Sequence, residues 1–492
     1  MCRIRNRRFV CSYPRREYLK TGFAALIICL VIWPIRAITG AESASPPNIV
    51  LCMADDQGWG DVGYNGHPVL KTPNLDLMAR EGLRLDRFYA AAPVCSPTRG
   101  SVLTGRHPNR FGCFSWGHTL RPDEVTVAQL LKQAGYATGH FGKWHLGAVR
   151  KDSRLSPGAM GFERWLSTPN FYDLNPLMSD QGTIVRKQGD GSIIAAEAAD
   201  EFIRKAVADG RPFLAVVWFG SPHAPHHALD EDRNLYADQP AAVRDFLGEI
   251  TALDRAVGLL RQTLRDCKVE ENTLFWYTSD NGAIPQGSTG GLRGRKGTLW
   301  EGGLRVPCVI EWPRVITRPR VSDFPCGTVD ILPTVADVAG IAPPHRVLDG
   351  ISLRRLLEDR ITDSHREKPL GFWVYPEKGI ATPSESILAD LLAEQTGEKP
   401  ASPPPKEESL PAKRYPDDVS PGHAAWLDWP YKLHRIPQKN GGVTWELYDV
   451  RQDPAETTNL AEQDTDRVQR MAQALEAWQR SVLQSLNGEE TQ

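Results

Sequence analysis

Between residues 48 and 340, short apolar runs alternate with amphipathic stretches, and the apolar runs end in polar residues that can carry chemistry. The first run, with Ile49, Val50 and Leu51, ends at Asp55-Asp56-Gln57-Gly58. The run 136–141 leads into Gly142-Lys143-Trp144-His145-Leu146-Gly147. Phe213, Leu214, Val216, Val217 and Trp218 precede Ser221-Pro222-His223-Ala224-Pro225-His226-His227. A fourth run, 273–278, ends at Ser279-Asp280-Asn281-Gly282. Runs this short and continuous read as strands buried on both faces. Strands alternating with helices predict an α/β domain, a mainly parallel sheet with helices on both sides. Such sheets bind ligands beyond the carboxyl ends of their strands. Each polar cluster alone has a bland reading; Asp55-Asp56, for instance, is also a good turn ended by Gly58. Together they describe one convergent polar pocket.

The helices expected between these strands span residues 73–81, 125–133, 194–207, 243–264 and 329–338. The clearest is 243–264, where Val243, Phe246, Leu247, Ile250, Leu253, Val257, Leu260 and Leu264 fall at three- and four-residue steps. A further helix begins near Cys95, with Ser96 as its expected N-cap and Pro97 at the first helical position. Arg99 in the first turn and the positive helix terminus both favour an anion beside Cys95. The competing reading is a buried structural cysteine. Lys143 and His145, two apart, point the same way if the backbone is extended. The histidines at 223, 226 and 227 are not accompanied by the cysteine set of a structural zinc site. Residues 148–192 are expected to be irregular or lid-like, and 302–311 to hold another strand. Beyond residue 365 the texture changes. A strand near 370–375, a Pro/Glu/Lys/Ser-rich loop or partly disordered insertion at 376–417, a hairpin around Gly441-Gly442 and a last amphipathic helix near 466–483 predict a small α+β subdomain.

The chain has 492 residues and a formal net charge of -2, so nothing in its overall charge suggests nucleic acid as a partner. Arginines up to Arg16 and Lys20 precede an apolar run from 23 to 35, which is short for a membrane span and suits a signal peptide over residues 1–41. Arg15-Arg16-Glu17-Tyr18-Leu19-Lys20 resembles a twin-arginine export signal. An ordinary secretory signal and an uncleaved anchor stay open as readings. The expected location is periplasmic or extracellular, with no stable membrane span after cleavage. Cys2, Cys11 and Cys29 would leave with the signal, and Cys52, Cys95, Cys113, Cys267, Cys308 and Cys326 would remain. A functional Cys95 leaves an odd number, so complete disulfide pairing is not expected.

The motifs, taken in order, resemble one family closely. Cys95-x-Pro97-x-Arg99 followed by Leu103-Thr104-Gly105-Arg106 is similar to the signature of the type I, formylglycine-dependent sulfatases. Their second signature resembles residues 142–147. Asp55-Asp56-Gln57-Gly58, Asp280-Asn281-Gly282, Lys296-Gly297, Glu301-Gly302-Gly303 and Glu446-Leu447-Tyr448-Asp449 match as well. The arylsulfatase A and N-acetylgalactosamine-6-sulfatase branch looks nearest. The resemblance implies an alkaline-phosphatase-like sandwich, a catalytic domain over 46–364 and a smaller C-terminal subdomain over 365–492. It implies hydrolysis of a sulfate monoester, with sulfated sugars the expected substrates. It also implies a maturation partner, the formylglycine-generating enzyme, which oxidises Cys95. One calcium ion would be held by Asp55, Asp56, Asp280, Asn281 and residue 95, an oxygen-rich set suited to a hard cation. Arg99 would hold the modified residue and Asp280 would help activate it. Lys143 and Lys296 would stabilise charge on the sulfuryl oxygens, His223 with Lys296 would protonate the leaving group, and His145 would act as base for sulfate release. The roles of His118, His226, His227, Arg293, Arg295 and His434 stay undecided. The rival readings are a phosphoesterase or phosphonate hydrolase on the same fold, and a non-catalytic glycan-binding protein. Specificity is expected from loops within 148–192 and 284–300 and from the C-terminal subdomain.

Overall fold

A computed structural model describes residues 45–361, 364–407, 413–416 and 418–490. The segment expected to be a signal peptide, with its Arg15-Arg16 pair and Cys2, Cys11 and Cys29, lies outside the described residues, as do 408–412 and 417 of the Pro-rich segment. No helix among the described residues is long and apolar enough to cross a membrane.

The predicted runs become the centre of a 10-stranded sheet. Thr273–Ser279, Asn48–Ala54, Phe213–Trp218, Ala137–Lys143 and Arg164–Thr168 lie side by side in that order, all parallel. Residues of alternate parity feed two cores. Ile49, Leu51, Met53, Leu214, Val216, Trp218 and Trp276 pack with Val102, Leu103, Val127, Leu131, Leu332 and Val335 on one face. Val50, Cys52, Val217, Phe275 and Tyr277 pack with Leu75, Met78, Ile203, Leu253, Val257 and Leu260 on the other. Both faces are therefore covered, which is why these strands read as unbroken apolar runs. The helices are Pro73–Glu81, Gly191–Ala208 and Ala241–Asp266 on the second face. Cys95–Thr104, Val127–Gln133 and Ile331–Val338 cover the first.

Register places the site. Ala54 pairs with Ser279, and Met53 with both Thr278 and Trp218. Asp55 and Asp280 therefore leave adjacent strands at the same height. Gly142 pairs with Trp218, so Lys143 and the loop to His223 leave at nearly that height too.

Three expectations change. Residues 148–192 are not irregular throughout: Arg164–Thr168, Leu177–Asp180 and Thr183–Arg186 extend the sheet edge, the last two antiparallel. Their turn, Gln181-Gly182, has positive φ at both residues (50° and 94°), the geometry a two-residue hairpin needs. The strand expected over 302–311 begins only at Val309; Glu301–Leu304 is a short helix. Within the Pro-rich segment, Ser384–Thr396 is a helix that Gly397 ends at φ 81°. Its Leu388 joins the first core, and its Gln395 exchanges hydrogen bonds with the backbone of Ile184. Composition averaged over the whole insertion hides this 13-residue apolar-faced element.

Beyond residue 365, Leu370–Trp373, Ala424–Asp428, Tyr431–Pro437 and Val443–Asp449 form an antiparallel sheet, as the hairpin predicted. Helix Thr465–Leu486 packs on it through Met471, Leu475, Val482 and Leu483. The chain from Pro46 onward is one compact unit. Lys432, on the small sheet, is buried between Glu301 and Glu456 at 3.0 and 3.2 Å. The six cysteines at 52, 95, 113, 267, 308 and 326 are free.

Candidate active site

Helix Cys95–Thr104 is buried along its whole length. Its N-cap is Val94, with extended backbone, so Cys95 is the first helical residue. Ser96 does not cap: its hydroxyl accepts a hydrogen bond from the amide of Gly117 at 2.9 Å, and Pro97 falls two residues into the helix. The buried first turn leaves a neighbouring loop amide in need of an acceptor, and Ser96 supplies it. Cys95 is 2% exposed. Burial pushes its thiol up, and Asp55 and Asp280 add to this against the opposing pull of Lys143 and Lys296. An unmodified Cys95 is therefore a poor thiolate nucleophile.

Around it the strand ends converge. Lys143 Nζ donates to Asp55 Oδ2 at 2.6 Å, and Lys296 Nζ lies 2.6 Å from Asp56 Oδ1. Arg99 grips Asp280 Oδ2 through Nε and NH2 at 3.1 and 2.7 Å, with its guanidinium 5.2 Å from the Trp218 ring centroid. Asn281 Nδ2 donates to Asp56 Oδ1 at 2.8 Å, and the Asp56 amide donates to Asp280 Oδ1 at 3.1 Å. Burial raises Asp280, reinforced by Asp55, to about 6. Asp56 is pushed up by burial too, but Lys296 and His223 outweigh it and hold the carboxyl below its usual range. His223 Nε2 is 3.7 Å from Asp56 Oδ2, and burial draws the imidazole down to about 4.

Three carboxylates (Asp55, Asp56, Asp280) face three cations (Arg99, Lys143, Lys296), so the protein's own charges nearly cancel. Ligand atoms of Asp55, Cys95 and Asp280 lie within 4.8 Å of one another, and so do those of Asp55, Asp56 and His223. Asp55 Oδ1 and Asn281 Oδ1 are buried with no hydrogen-bond partner. Unsatisfied buried oxygens amid carboxylates fit a hard divalent cation, which would also turn the balance positive for an anionic substrate.

Backbone strain collects here. Asp56 and His145 have φ of 73° and 55°, unusual for non-glycine residues and frequent at functional sites. Lys143 and His145 therefore do not share a face through extended backbone, as their spacing suggested. Lys143 turns inward to Asp55, and the left-handed His145 lines the cavity. Gly142 has φ 103°, and a Cβ there would lie 1.9 Å from the Trp218 carbonyl oxygen. Gly142→Ala is expected to cost about 3 kcal/mol or more. A urea midpoint equal to that of the wild type would show the strand end to be more yielding than this.

The cavity over Cys95 has a volume of about 390 Å³ and is bounded by His145, His223 and Lys296, with Trp116, Asn170, Phe171 and Ala381-Thr382-Pro383 as the remaining walls. Thr382 Oγ1 is 2.8 Å from His145 Nε2, and the Phe171 ring stacks on His223 at 4.7 Å. Sequence reasoning missed these wall residues. Phe171 and Asn170 fall in a stretch expected to carry specificity, and Thr382 in the C-terminal subdomain expected to contribute to it, but no motif marks any of the three. The undecided residues turn elsewhere. His226 bonds Glu249, and His227 pairs with Asp173. Arg293 stacks on Trp300, Arg295 donates to the carbonyls of Ile284 and Gly287, His118 meets the Lys378 carbonyl, and His434 is buried against Glu456.

The model of the family described as Sulfatase matches residues 47–341. The chain belongs to the sulfatase family. N-acetylgalactosamine-6-sulfatase of Canis lupus familiaris is 34% identical over 380 residues, covering 68% of this chain and 70% of that protein. Arylsulfatase A of Bos taurus is 31% identical over 459 residues, covering 86% and 84%. In fold, the crystal structure of Ps i-CgsB in complex with k-i-k-neocarrahexaose superposes with a TM-score of 0.75 at 23% identity, covering 90% of this chain and 94% of that one. The architecture is thus the alkaline-phosphatase-like one of the sulfatases, and the enzyme is a sulfuric ester hydrolase.

Proposed function

We propose that this sulfatase removes sulfate from a monoester, with a sulfated saccharide as the natural substrate class, using residue 95 in its oxidised form and one calcium ion. The observation that carries the reading is the juxtaposition at Cys95: a buried side chain at a helix start, its ligand atom within 4.8 Å of those of Asp55 and Asp280. Oxidation of Cys95 to formylglycine by the formylglycine-generating enzyme would supply a hydrated aldehyde, one hydroxyl to attack sulfur and a second to let sulfate leave. Calcium held by Asp55, Asp56, Asp280, Asn281 and residue 95 would supply the positive charge that an anionic ester requires.

The chain's own residues do the rest. Arg99 fixes Asp280 on the side facing residue 95. Lys143 and Lys296, each held on a carboxylate, are placed to meet sulfuryl oxygens and stabilise their charge. His145 is neutral, because burial and Lys143 hold its imidazole well below the usual range. Its Nδ1 is buried without a partner while Nε2 faces Thr382, leaving one ring nitrogen to take a proton from residue 95. His223 faces the leaving-group side beside Lys296. The charge of a bound sulfate ester raises its proton affinity and equips it to protonate the departing oxygen. Export through the N-terminal segment would deliver the enzyme to extracellular or periplasmic substrates.

Paired assays with sulfate and phosphate esters of the same alcohol test the reaction class. The sulfate ester should be turned over at least about tenfold more efficiently in kcat/KM, a margin of about 1.4 kcal/mol; a clear phosphate preference would place the chain with the phosphoesterases. Removal of divalent metal by a chelator should abolish sulfate release, and added calcium should restore it. Full activity in the metal-free protein would refute the calcium assignment.

A further inference from the structure

The walls of the cavity over Cys95 constrain what is attached to the sulfate. Lys296 is the one cation among the described residues lining it, and that ammonium is committed to Asp56. The upper walls are Trp116, Phe171, Ala381 and Pro383, an almost wholly apolar surface. Trp116 is 42% exposed. Its indole rests against Gly379, where a Cβ would come within 2.1 Å of the ring, and its carbonyl accepts from the Ile380 amide at 2.9 Å. Phe171 is held flat by its stack on His223, the planes 10° apart. Two aromatic rings on supported backbone thus border the path by which a leaving group must enter.

The neighbouring cavity, also about 390 Å³, shares His145 and Thr382 with the first. Its one lining cation among the described residues is Arg150, which is bonded to Asp152 at 2.9 and 2.8 Å. Asp390 and Glu394 line the same space. Arg293 and Arg295, the other basic residues of the nearby loop, are engaged with Trp300 and with backbone carbonyls. A second sulfate or a carboxylate on the substrate would meet apolar wall or other carboxylates, and among the described residues lining the two cavities both cations are already paired with a carboxylate.

We infer that the leaving group is an uncharged ring that lays an apolar face against Trp116 and Phe171, so that the sulfate being removed is the substrate's one negative charge. This rests on the sulfatase reading and narrows it. Two sources offer that chemistry: the C–H face of a neutral pyranose, and an aryl or alicyclic alcohol.

The test compares galactose-6-sulfate, 4-methylumbelliferyl sulfate and glucosamine-2-N,6-O-disulfate with the full chain in its matured form. At least one of the two monosulfates should exceed the disulfate in kcat/KM by about tenfold or more. Whichever leads identifies the source, pyranose or aryl. Trp116→Ala should raise KM for the preferred monosulfate about tenfold with little change in kcat, and Trp116→Phe should retain most of the affinity. Ala381→Arg, at an exposed position on the rim, should narrow the gap in favour of the disulfate. Calorimetric titration of the three compounds into the Cys95→Ala protein should give the same ranking without turnover, which separates this inference from the reaction class. Equal or tighter binding of the disulfate, or binding of none of the three, would overturn it, as would a Trp116→Ala protein with unaltered KM. Release of sulfate from none of them, with the binding order as expected, would instead count against the proposed reaction and uphold the ring site.

Discussion

Cys95→Ala is expected to lose multiple-turnover sulfate release by at least about 10³-fold, because the alanine methyl carries no thiol to be oxidised and so cannot become the aldehyde on which the proposed covalent chemistry is built. Its fold should survive. The substitution deletes one buried sulfur from a helix that nine other buried residues hold in place. The loss is of order 1 kcal/mol, a shift of about 3 °C or less in the thermal midpoint. Cys95→Ser tests the chemistry more finely. An unmodified serine has the attacking hydroxyl but lacks the second one, so it should accept sulfate at most once per molecule. Recovery of turnover is expected only in a host that oxidises serine at this position. Substantial turnover by the alanine variant would remove residue 95 from the mechanism. Mass spectrometry of the peptide containing residue 95 is the companion measurement: an unaltered thiol in fully active protein would remove the oxidised form of residue 95 from the mechanism.

The second large effect lies away from the cavity. Lys432→Met should destabilise the protein by about 3–5 kcal/mol, the cost of leaving buried carboxylates without their cation. Lys432, Glu301, Glu456 and His434 have side chains with no exposed surface. Glu301 Oε2 accepts from the Tyr89 hydroxyl at 3.0 Å, and Glu456 Oε2 accepts from the Glu301 amide at 2.7 Å. The cluster ties the small sheet to the Glu301–Leu304 turn. That turn touches the site, since the Gly282 amide donates to the Gly303 carbonyl at 3.0 Å directly after Asn281. On the proposed calcium reading, affinity for the ion should therefore fall along with stability, and the two can be read separately by denaturant midpoint and by calcium titration. Combining Lys432→Met with Glu301→Gln removes one of the stranded charges and should recover part of the lost stability. A Lys432→Met protein with an unchanged midpoint would show that the buried cluster carries no such load.

Much of the site was legible in the chain because strand ends are local events. An apolar run that stops at Asp55-Asp56 or Asp280-Asn281 declares both the strand and the polar group at its carboxyl end. Parallel register then brings those groups together, as the pairing of Ala54 with Ser279 does. The buried helix at Cys95 and its Arg99 followed from the same local grammar. Local grammar was misleading where a side chain had a distant partner to satisfy. Ser96 is a good N-cap by type, yet it serves Gly117. Lys143 and His145 have strand spacing, yet left-handed backbone at His145 separates their directions.

The sequence by itself determined the fold class, the set of charged residues at the strand ends and the family. These depend on periodicity and on short motifs, which neighbouring residues specify. Only the tertiary structure decided the walls of the cavity. Thr382 reaches His145 across 237 positions, and Trp116, Phe171 and Pro383 meet from three separate loops. No spacing rule connects them, because the helix Ser384–Thr396 is positioned by the far edge of the sheet through Gln395 and Ile184. Which alcohol the enzyme releases is therefore written in packing between distant segments, whereas the attack on sulfur is written in the order of the residues.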